Sequence, residues 1–153
     1  MGETLKLNLL KSTSSITFYS ADTASSLSLP FAIGGIAAGF PSPAEDYLEL
    51  SLDLNRELVK DQSATFYGRV KGNSMIEAGF ADGDVIIIDR SAEPVNGKIA
   101  VCYINGEFTV KRLKKIKDDL YLMPANSEFK PIKITEETDF VVWGIVTYII
   151  KKV

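Results

Sequence analysis

The sequence predicts a mostly β fold: a compact domain with a strongly bent or barrel-like sheet, one short helix and a flexible N-terminal arm. Many short runs are apolar and alternating or β-branched, and turns rich in Gly, Asn, Asp and Pro separate them. Little of the chain has helical periodicity, and short strands with little helix are typical of an all-β domain. The 153 residues are enough for one domain with a core, plus a tail.

The arm is the part of the chain with the weakest pattern. Residues 1–30 are rich in Ser and Thr and contain no convincing core. Two short alternating pieces, 5–9 and 16–19, can add as strands to an exposed sheet edge, whereas the composition between them is that of a flexible arm. From these residues alone, a disordered tail and a docked pair of strands both stay open.

An apolar segment punctuated by Gly and Pro follows at 30–43. It cannot be a helix or a central strand, yet it is more hydrophobic than an ordinary exposed loop. The small residues Ala37, Ala38 and Gly39 would let a nucleophile approach the backbone closely. The segment is therefore either a peptidase substrate bound in a groove or a Gly/Pro linker that packs on the domain.

The rest of the chain predicts strands and one helix in order. Asn105-Gly106 is a strong hairpin signal between two apolar runs. Asp53 can cap a short helix that reaches about Lys60, and Gly144 marks a bend or bulge in the last strand. The predicted strands are 47–54, 65–71, 85–88, 99–104, 107–113, 120–123 and 140–150.

Composition excludes several kinds of site. The chain has no histidine, so it holds neither a Ser-His-Asp triad nor a histidine-ligated metal, and we expect no metal and no cofactor. With 17 basic and 20 acidic residues, the net charge of −3 gives no general field for nucleic acid phosphates. The basic run at 111–117 is more typical of a solvated hairpin end than of a nucleic acid patch. Direct DNA binding is therefore not expected.

The cysteine content and the absence of a membrane signal bear on the compartment. The single Cys102 lies in an apolar run, where a thiol usually behaves as a small buried hydrophobe, and a disulfide framework is excluded. The start lacks the features of a signal peptide, and no apolar run approaches the roughly 18 residues of a membrane span. We expect a cytoplasmic protein without a membrane anchor.

Gly72-Asn73-Ser74-Met75 is the candidate site for a nucleophile. Gly and Asn tolerate the tight backbone that lifts a serine hydroxyl clear of a sheet. Without histidine, the serine needs another base, and a lysine serves when burial lowers its pKa. A serine in this position is also an ordinary turn residue, so the motif alone leaves both readings open.

Lys111 is the candidate base. On a period-2 reading of its strand it shares a face with Thr109 and Leu113, while Phe108 and Val110 point the other way. A lysine in a strand is also often a solvated charge that protects an edge. Other motifs have to decide between the two.

Three motifs together resemble the self-cleaving Ser/Lys peptidase family of LexA, phage repressors and UmuD: Ala38-Gly39, the Ser74 turn, and the Lys111 strand. Ser74 lies 36 positions after Ala38 and 37 before Lys111, the spacings expected of that family. The resemblance runs from about Ile36 to the C-terminus. It includes Gly39-Phe40-Pro41-Ser42-Pro43-Ala44, Asp46-Tyr47, Asp53-Leu54-Asn55, Ser63-Ala64-Thr65, Gly83-Asp84 and Gly106-Glu107-Phe108-Thr109-Val110-Lys111.

The resemblance implies a role for each motif. Residues 39–153 would form the LexA/UmuD peptidase and dimerisation domain, and 1–38 an arm removed by self-cleavage at Ala38-Gly39. Ser74 would be the nucleophile and Lys111 the general base. The backbone N–H groups of Asn73 and Ser74 are our hypothesis for the oxyanion hole.

The resemblance also implies partners and a physiological role. Cleavage in this family is stimulated by the RecA filament on single-stranded DNA. The shortened form is expected to be a homodimer that joins a UmuC-type polymerase, making an error-prone translesion DNA polymerase during the SOS response.

The sequence departs from the UmuD pattern in two features, and three other functions stay open. Ile36-Ala37-Ala38-Gly39 is closer to the LexA type of cleavage site than to that of UmuD, which has Cys before the Gly, and residues 1–30 have no clear counterpart. A LexA or phage-type repressor fragment would need a helix-turn-helix before the cleavage site, and the residues there lack the pattern of helices. A signal-peptidase-like enzyme would need a membrane anchor. A non-catalytic dimeric binding module would keep the fold alone.

Overall fold

The computed structural model describes residues 8–12, 16–24, 28–31 and 50–153, and these residues form a mostly β protein, as predicted. In chain order, the elements are β1 (Asn8–Ser12), β2 (Ile16–Ser20), β3 (Ser28–Phe31), β4 (Leu50–Asp53), α1 (Leu54–Leu58), β5 (Thr65–Val70), β6 (Val85–Asp89), β7 (Ile99–Ile104), β8 (Glu107–Ile116), β9 (Asp119–Met123), β10 (Ile132–Lys133) and β11 (Phe140–Ile150).

The described residues group into two compact units. Those of 1–21 and 61–153 form the larger unit, and those of 22–60 form the smaller one. In the smaller unit, β3 and β4 pair antiparallel, from Ser28 opposite Asp53 to Phe31 opposite Leu50. The Asp53 carboxylate accepts the Asn55 N–H at 3.0 Å, so the predicted cap of a short helix is confirmed, although α1 ends at Leu58.

The larger unit is built on one antiparallel sheet of nine strands. Their spatial order is β1-β2-β5-β6-β11-β7-β8-β9-β10, so among the described residues β1 and β10 are the two edges and the sheet is not closed. The sheet bends until side chains of β2 and β8 meet, with the rings of Phe18 and Phe108 4.9 Å apart. The prediction of a strongly bent all-β sheet is confirmed.

The core lies on both faces of the β7–β8 hairpin. Val101 and Val110 belong to one buried cluster, and Ala100, Cys102 and Leu113 belong to another. This alternation is what the period of a strand predicts. Cys102 is fully buried with a free thiol, as expected for a small hydrophobe.

Turns and bulges fall where the sequence indicated. Asn105 and Gly106 have φ of 46° and 89°, so both adopt the left-handed backbone that a tight hairpin requires, and β8 continues to Ile116. The register between β11 and β7 shifts between Val142 and Gly144. A Cβ at Gly144 would lie 2.5 Å from Ile88 Cγ2, which explains glycine at this bulge.

The described part of the arm contains three strands, β1, β2 and β3. β1 and β2 pair with each other, and β2 pairs with β5 over five residue pairs, from Ile16 opposite Val70 to Ser20 opposite Phe66. Of the two possibilities left open by the sequence, docked strands are the one found for residues 8–12 and 16–20. In the apolar 30–43 segment, Pro30 and Phe31 end β3, and residues 32–49, which include Ala38 and Gly39, lie outside the described residues.

No helix in the described ranges is both long and apolar enough to cross a membrane.

Candidate active site

The Ser74 turn follows the end of β5 and is braced by the turn at 81–84. Gly72 has φ of 89°, and its N–H donates to the Asp82 carboxylate at 2.9 Å. Val70 also exchanges backbone hydrogen bonds with this second turn, since its N–H donates to Asp84 O at 2.9 Å and Gly83 N–H donates to Val70 O at 2.8 Å. These bonds fix the backbone that delivers Ser74 after the strand.

A second segment, at Ala125 and Asn126, holds the Ser74 turn from the other side. Ala125 N–H donates to Ser74 O, and Glu77 N–H donates to Ala125 O, both at 2.8 Å. The Asn126 side-chain amide is buried and donates to Asn73 O at 2.9 Å. Sequence reasoning missed these two residues because Pro-Ala-Asn-Ser after a strand reads as an ordinary polar turn.

Lys111 projects from β8 and meets three polar atoms. Its Nζ lies 3.0 Å from Ser74 Oγ, 2.6 Å from Thr109 Oγ1 and 3.1 Å from Val110 O. The structure therefore brings Ser74 and Lys111 into hydrogen-bond distance. The Thr109 hydroxyl reaches the Lys111 amine, which confirms the prediction that the two side chains share a face of the strand.

Burial sets the protonation of Lys111. The side chain is 6% exposed, and burial lowers the pKa of the amine, against a smaller opposing effect from Cys102. Among the described residues, the ion pairs are Lys133 with Asp119 and Lys151 with Asp84, so no carboxylate there offsets the cost of a charged Lys111. The amine is thus shifted toward its neutral form.

The Cys102 thiol is not a second nucleophile. It is fully buried on β7, and this burial raises its pKa to about 12, although the charge of Lys111 acts in the other direction. A thiol with such a pKa stays protonated at neutral pH, and only the thiolate is strongly nucleophilic.

Within the described residues, two backbone N–H groups of the turn have no hydrogen-bond acceptor. The bonds of the turn use Gly72 N–H and Ile76 N–H, whereas in the part of the chain that the structure describes neither Asn73 N–H nor Ser74 N–H has an acceptor. Unpaired donors beside a nucleophile are the components of an oxyanion hole.

A small cleft runs past the Ser74 hydroxyl, between the end of β5 and the middle of β8. One side is formed by the chain around Gly72 and the other by β8. Its lining residues are Val70, Lys71, Gly72, Ser74, Met75, Thr109 and Val110.

No group of three or more His, Cys, Asp or Glu side chains in the described ranges is arranged to hold a metal ion.

Comparisons with known proteins place the sequence in a family. Residues 30–147 match the model of the family described as Peptidase S24-like. The chain is 43% identical to Protein MucA of Salmonella typhimurium over 122 residues, which cover 79% of this chain and 83% of MucA. It is 43% identical to Protein SamA of Salmonella typhimurium over 115 residues, covering 75% and 79% of the two chains.

A repressor is similar as well. The LexA repressor of Carboxydothermus hydrogenoformans is 40% identical over 114 residues, which cover 73% of this chain and 55% of the repressor. The matched family region contains both the Ser74 turn and Lys111. This chain is therefore a UmuD-like member of the LexA/UmuD family of S24-like peptidases.

Proposed function

We propose that this chain is a self-processing serine peptidase that cuts its own Ala38-Gly39 bond. The observation that carries the proposal is the 3.0 Å contact between Lys111 Nζ and Ser74 Oγ, made by a lysine whose pKa is lowered by burial. A neutral amine in contact with a hydroxyl can take its proton and so activate a serine nucleophile.

The three neighbours of Lys111 suit a neutral amine. Such an amine has two N–H donors and one lone pair. Val110 O can only accept, so it takes one N–H, and the Thr109 hydroxyl can take the second. The lone pair then faces Ser74, whose O–H donates to it, which is the direction needed for proton abstraction.

The chemistry follows in two halves. Lys111 takes the Ser74 proton as Oγ attacks the Ala38 carbonyl carbon, and the N–H groups of Asn73 and Ser74 stabilise the oxyanion that forms. The C–N bond breaks as protonated Lys111 gives its proton to the Gly39 amine, leaving Ala38 as an ester on Ser74. Lys111 then takes a proton from water as the water oxygen attacks the ester carbonyl, and it returns that proton to Ser74 Oγ as the ester bond breaks, which separates residues 1–38 from 39–153.

Similarity to MucA, SamA and LexA supports a role in the SOS response. In this role, the RecA filament on single-stranded DNA stimulates cleavage by favouring the conformer that has the 38–39 bond in the cleft. The shortened chain then serves a UmuC-type polymerase in error-prone translesion synthesis in the cytoplasm. The similarity covers residues around the dyad as well as the fold, which favours this role over that of a non-catalytic module.

A homodimer is part of the proposal. Tyr148 and Ile150, near the end of β11, are 40% and 48% exposed, and Ile76, beside the Ser74 turn, is 52% exposed. Contiguous apolar patches, unlike single exposed apolar residues, mark surfaces that another protein covers. A second copy of the chain is the occupant we propose.

Mass spectrometry of the purified full chain at mildly alkaline pH tests the cleavage. We expect fragments that end at Ala38 and begin at Gly39. The rate should rise by about tenfold per pH unit until Lys111 is mostly neutral and then level off, because only the neutral amine can take the proton. Adding RecA, ATP and single-stranded DNA should accelerate the reaction.

Variants of the dyad provide the controls. Ser74→Ala and Lys111→Ala should abolish cleavage, whereas Lys114→Ala, an exposed lysine on the same strand, should cleave at the wild-type rate. A wild-type chain that stays intact even with the filament would refute the catalytic proposal and leave a binding module of the same fold.

A further inference from the structure

β2 buries side chains in the core although it belongs to the arm. Ile16 is fully buried, and Phe18 is 3% exposed. The Phe18 ring packs edge-on against two aromatic rings, at 4.9 Å from Phe108 and 4.7 Å from Trp143. The arm therefore fills a place in the hydrophobic core of the larger unit.

The surface beneath β2 is shaped for this strand. We call it the β5 groove, and it consists of Phe66, Gly68, Phe108 and Trp143, with Ile86 and Ile88 below. A Cβ at Gly68 would lie 2.7 Å from Ile16 Cδ1, so the missing side chain makes the space that Ile16 occupies. The edge of β5 adds backbone pairing along five residue pairs.

In the sequence, β2 precedes the proposed cleavage site at 38–39, whereas the residues of the groove that it fills all follow it. The family match begins at residue 30, so β2 lies outside it, whereas the groove residues lie within it. After a cut at 38–39, β2 would be held only by noncovalent contacts. A strand held in this way can exchange with another strand of the same chemistry.

We propose that the β5 groove is a strand-accepting interaction surface for another protein, closed in the intact chain by β2 and opened when the arm is cut. The partner segment is extended and pairs with β5. It presents an aliphatic side chain at the place of Ile16 and an aromatic side chain at the place of Phe18. Backbone pairing supplies affinity in strand addition, and alternate side chains supply specificity. Only the opening of the groove rests on the proposed self-cleavage.

The test uses the full chain and does not depend on self-cleavage. In a Ser74→Ala background, the recognition sequence of a site-specific protease is inserted between Ala38 and Gly39. The cut and uncut proteins are titrated with a fluorescent peptide of residues 14–22, and binding is followed by anisotropy. Trp143 is the single tryptophan of the chain and contacts Phe18, so its emission reports departure of β2.

We expect the cut protein to bind the peptide saturably, at least about tenfold more tightly than the uncut protein does. A Phe18→Ala peptide should bind at least about tenfold more weakly, because it loses a buried aromatic side chain. A Tyr19→Ala peptide, changed on the opposite face of the strand, is the matched control and should bind nearly as well as the original.

Three outcomes would overturn the proposal: no saturable binding to the cut protein, equal binding by the cut and uncut proteins, or loss of the β-sheet circular dichroism after the cut. A second variant gives an independent check without any cut. Phe18→Ala in the otherwise intact chain should admit the wild-type peptide, and Tyr19→Ala should not; equal behaviour of the two would count against the groove. Failure of self-cleavage would appear only in the mass spectrometry described above.

Discussion

Burial of the Lys111 amine has a cost in stability that depends on pH. Between its lowered pKa and the ordinary value of 10.5, the unfolded chain binds more protons at this site than the folded chain does. The free energy of unfolding therefore rises with pH across this window, by up to about 1.4 kcal/mol per pH unit. Below the window the folded protein carries the full cost of burying the amine.

Lys111→Met should remove that cost. We expect the variant to be more stable than wild type by about 1 kcal/mol near neutral pH, and the difference to shrink as pH rises toward the ordinary pKa of lysine. Urea denaturation followed between about pH 7 and 10 measures this. Lys114→Met, at an exposed position on the same strand, should follow wild type at every pH. A constant difference between Lys111→Met and wild type would show that burial does not govern the titration of Lys111.

Asn126 holds the Ser74 turn through the backbone. Its amide donates to Asn73 O, and its side-chain oxygen accepts the Glu128 N–H at 2.9 Å. Asn126→Asp keeps the second bond and replaces the first by two facing oxygens. We expect self-cleavage to slow by about tenfold, the effect of roughly one hydrogen bond on the barrier. Ser127→Ala is the neighbouring control, and equal rates for the two variants would contradict the positioning role.

At the scale of elements, β2 and β5 fit each other through one glycine. Gly68 lies opposite Phe18 in the ladder, and its missing side chain accommodates Ile16. The sequence predicted the β5 strand but gave no reason for this glycine. The reason lies in a strand from the distant arm.

Gly68→Ala should destabilise the protein by about 1 to 3 kcal/mol, because the new methyl group overlaps Ile16 Cδ1. Ile16→Val deletes that Cδ1 atom and alone should cost about 1 kcal/mol. The double variant should lose less than the sum of the two. Denaturation monitored by Trp143 fluorescence measures all three, and strict additivity would mean that the two residues do not meet.

Local signals predicted the elements well where the structure is local. Asn105-Gly106 specified a hairpin, Asp53 a helix cap and Gly144 a bulge, and each is present. Local signals could not decide whether the arm docks on the sheet. β2 is stabilised by the contacts of Phe18 with Phe108 and Trp143, which come from strands far along the chain, so the local sequence pattern of β2 carries no trace of the groove.

At the scale of the whole molecule, the C-terminal end of the chain is fastened near the Ser74 turn. Lys151, just after β11, donates to the buried Asp84 carboxylate at 2.5 Å, and Ala81 N–H donates to the same oxygen at 2.8 Å. Burial raises the pKa of Asp84, but the bonds from Lys151 and Ala81 more than offset this and lower it. Asp84 N–H and O also bond within the turn and to Val70.

Removing one partner should reveal this link. Because the pKa of Asp84 is lowered on folding, its contribution is present above the ordinary value of 3.8 and is lost as pH falls through the lowered pKa. Lys151→Met should therefore cost about 1 kcal/mol near neutral pH, a modest figure because Lys151 is partly exposed, and nothing in strong acid. Thermal denaturation against Lys152→Met, the exposed neighbour, measures the difference; a loss that persists in acid would exclude this ion pair as its cause.

The candidate site was predictable in part. The absence of histidine directed attention to a lysine base, and the spacing of Ser74 and Lys111 with Ala38 pointed to the family. How Lys111 becomes buried was not predictable, because it depends on Thr109, the Ser74 turn and the Asn126 segment meeting at one place. Such a meeting is a property of the folded sheet, which no single motif encodes.

The bulge in β1 has a consequence for solubility. Pairing between β1 and β2 shifts register between Leu9 and Lys11, so the outermost edge at this end of the sheet is interrupted, and β10 at the other end has two residues. Interrupted and very short edge strands resist edge-to-edge aggregation. Removing the arm would expose β5 instead, and five of its six residues pair with β6 without a register shift. The chain with its arm in place thus carries its own protection against polymerising through its sheet, and a chain that lost the arm would need a cap supplied from outside.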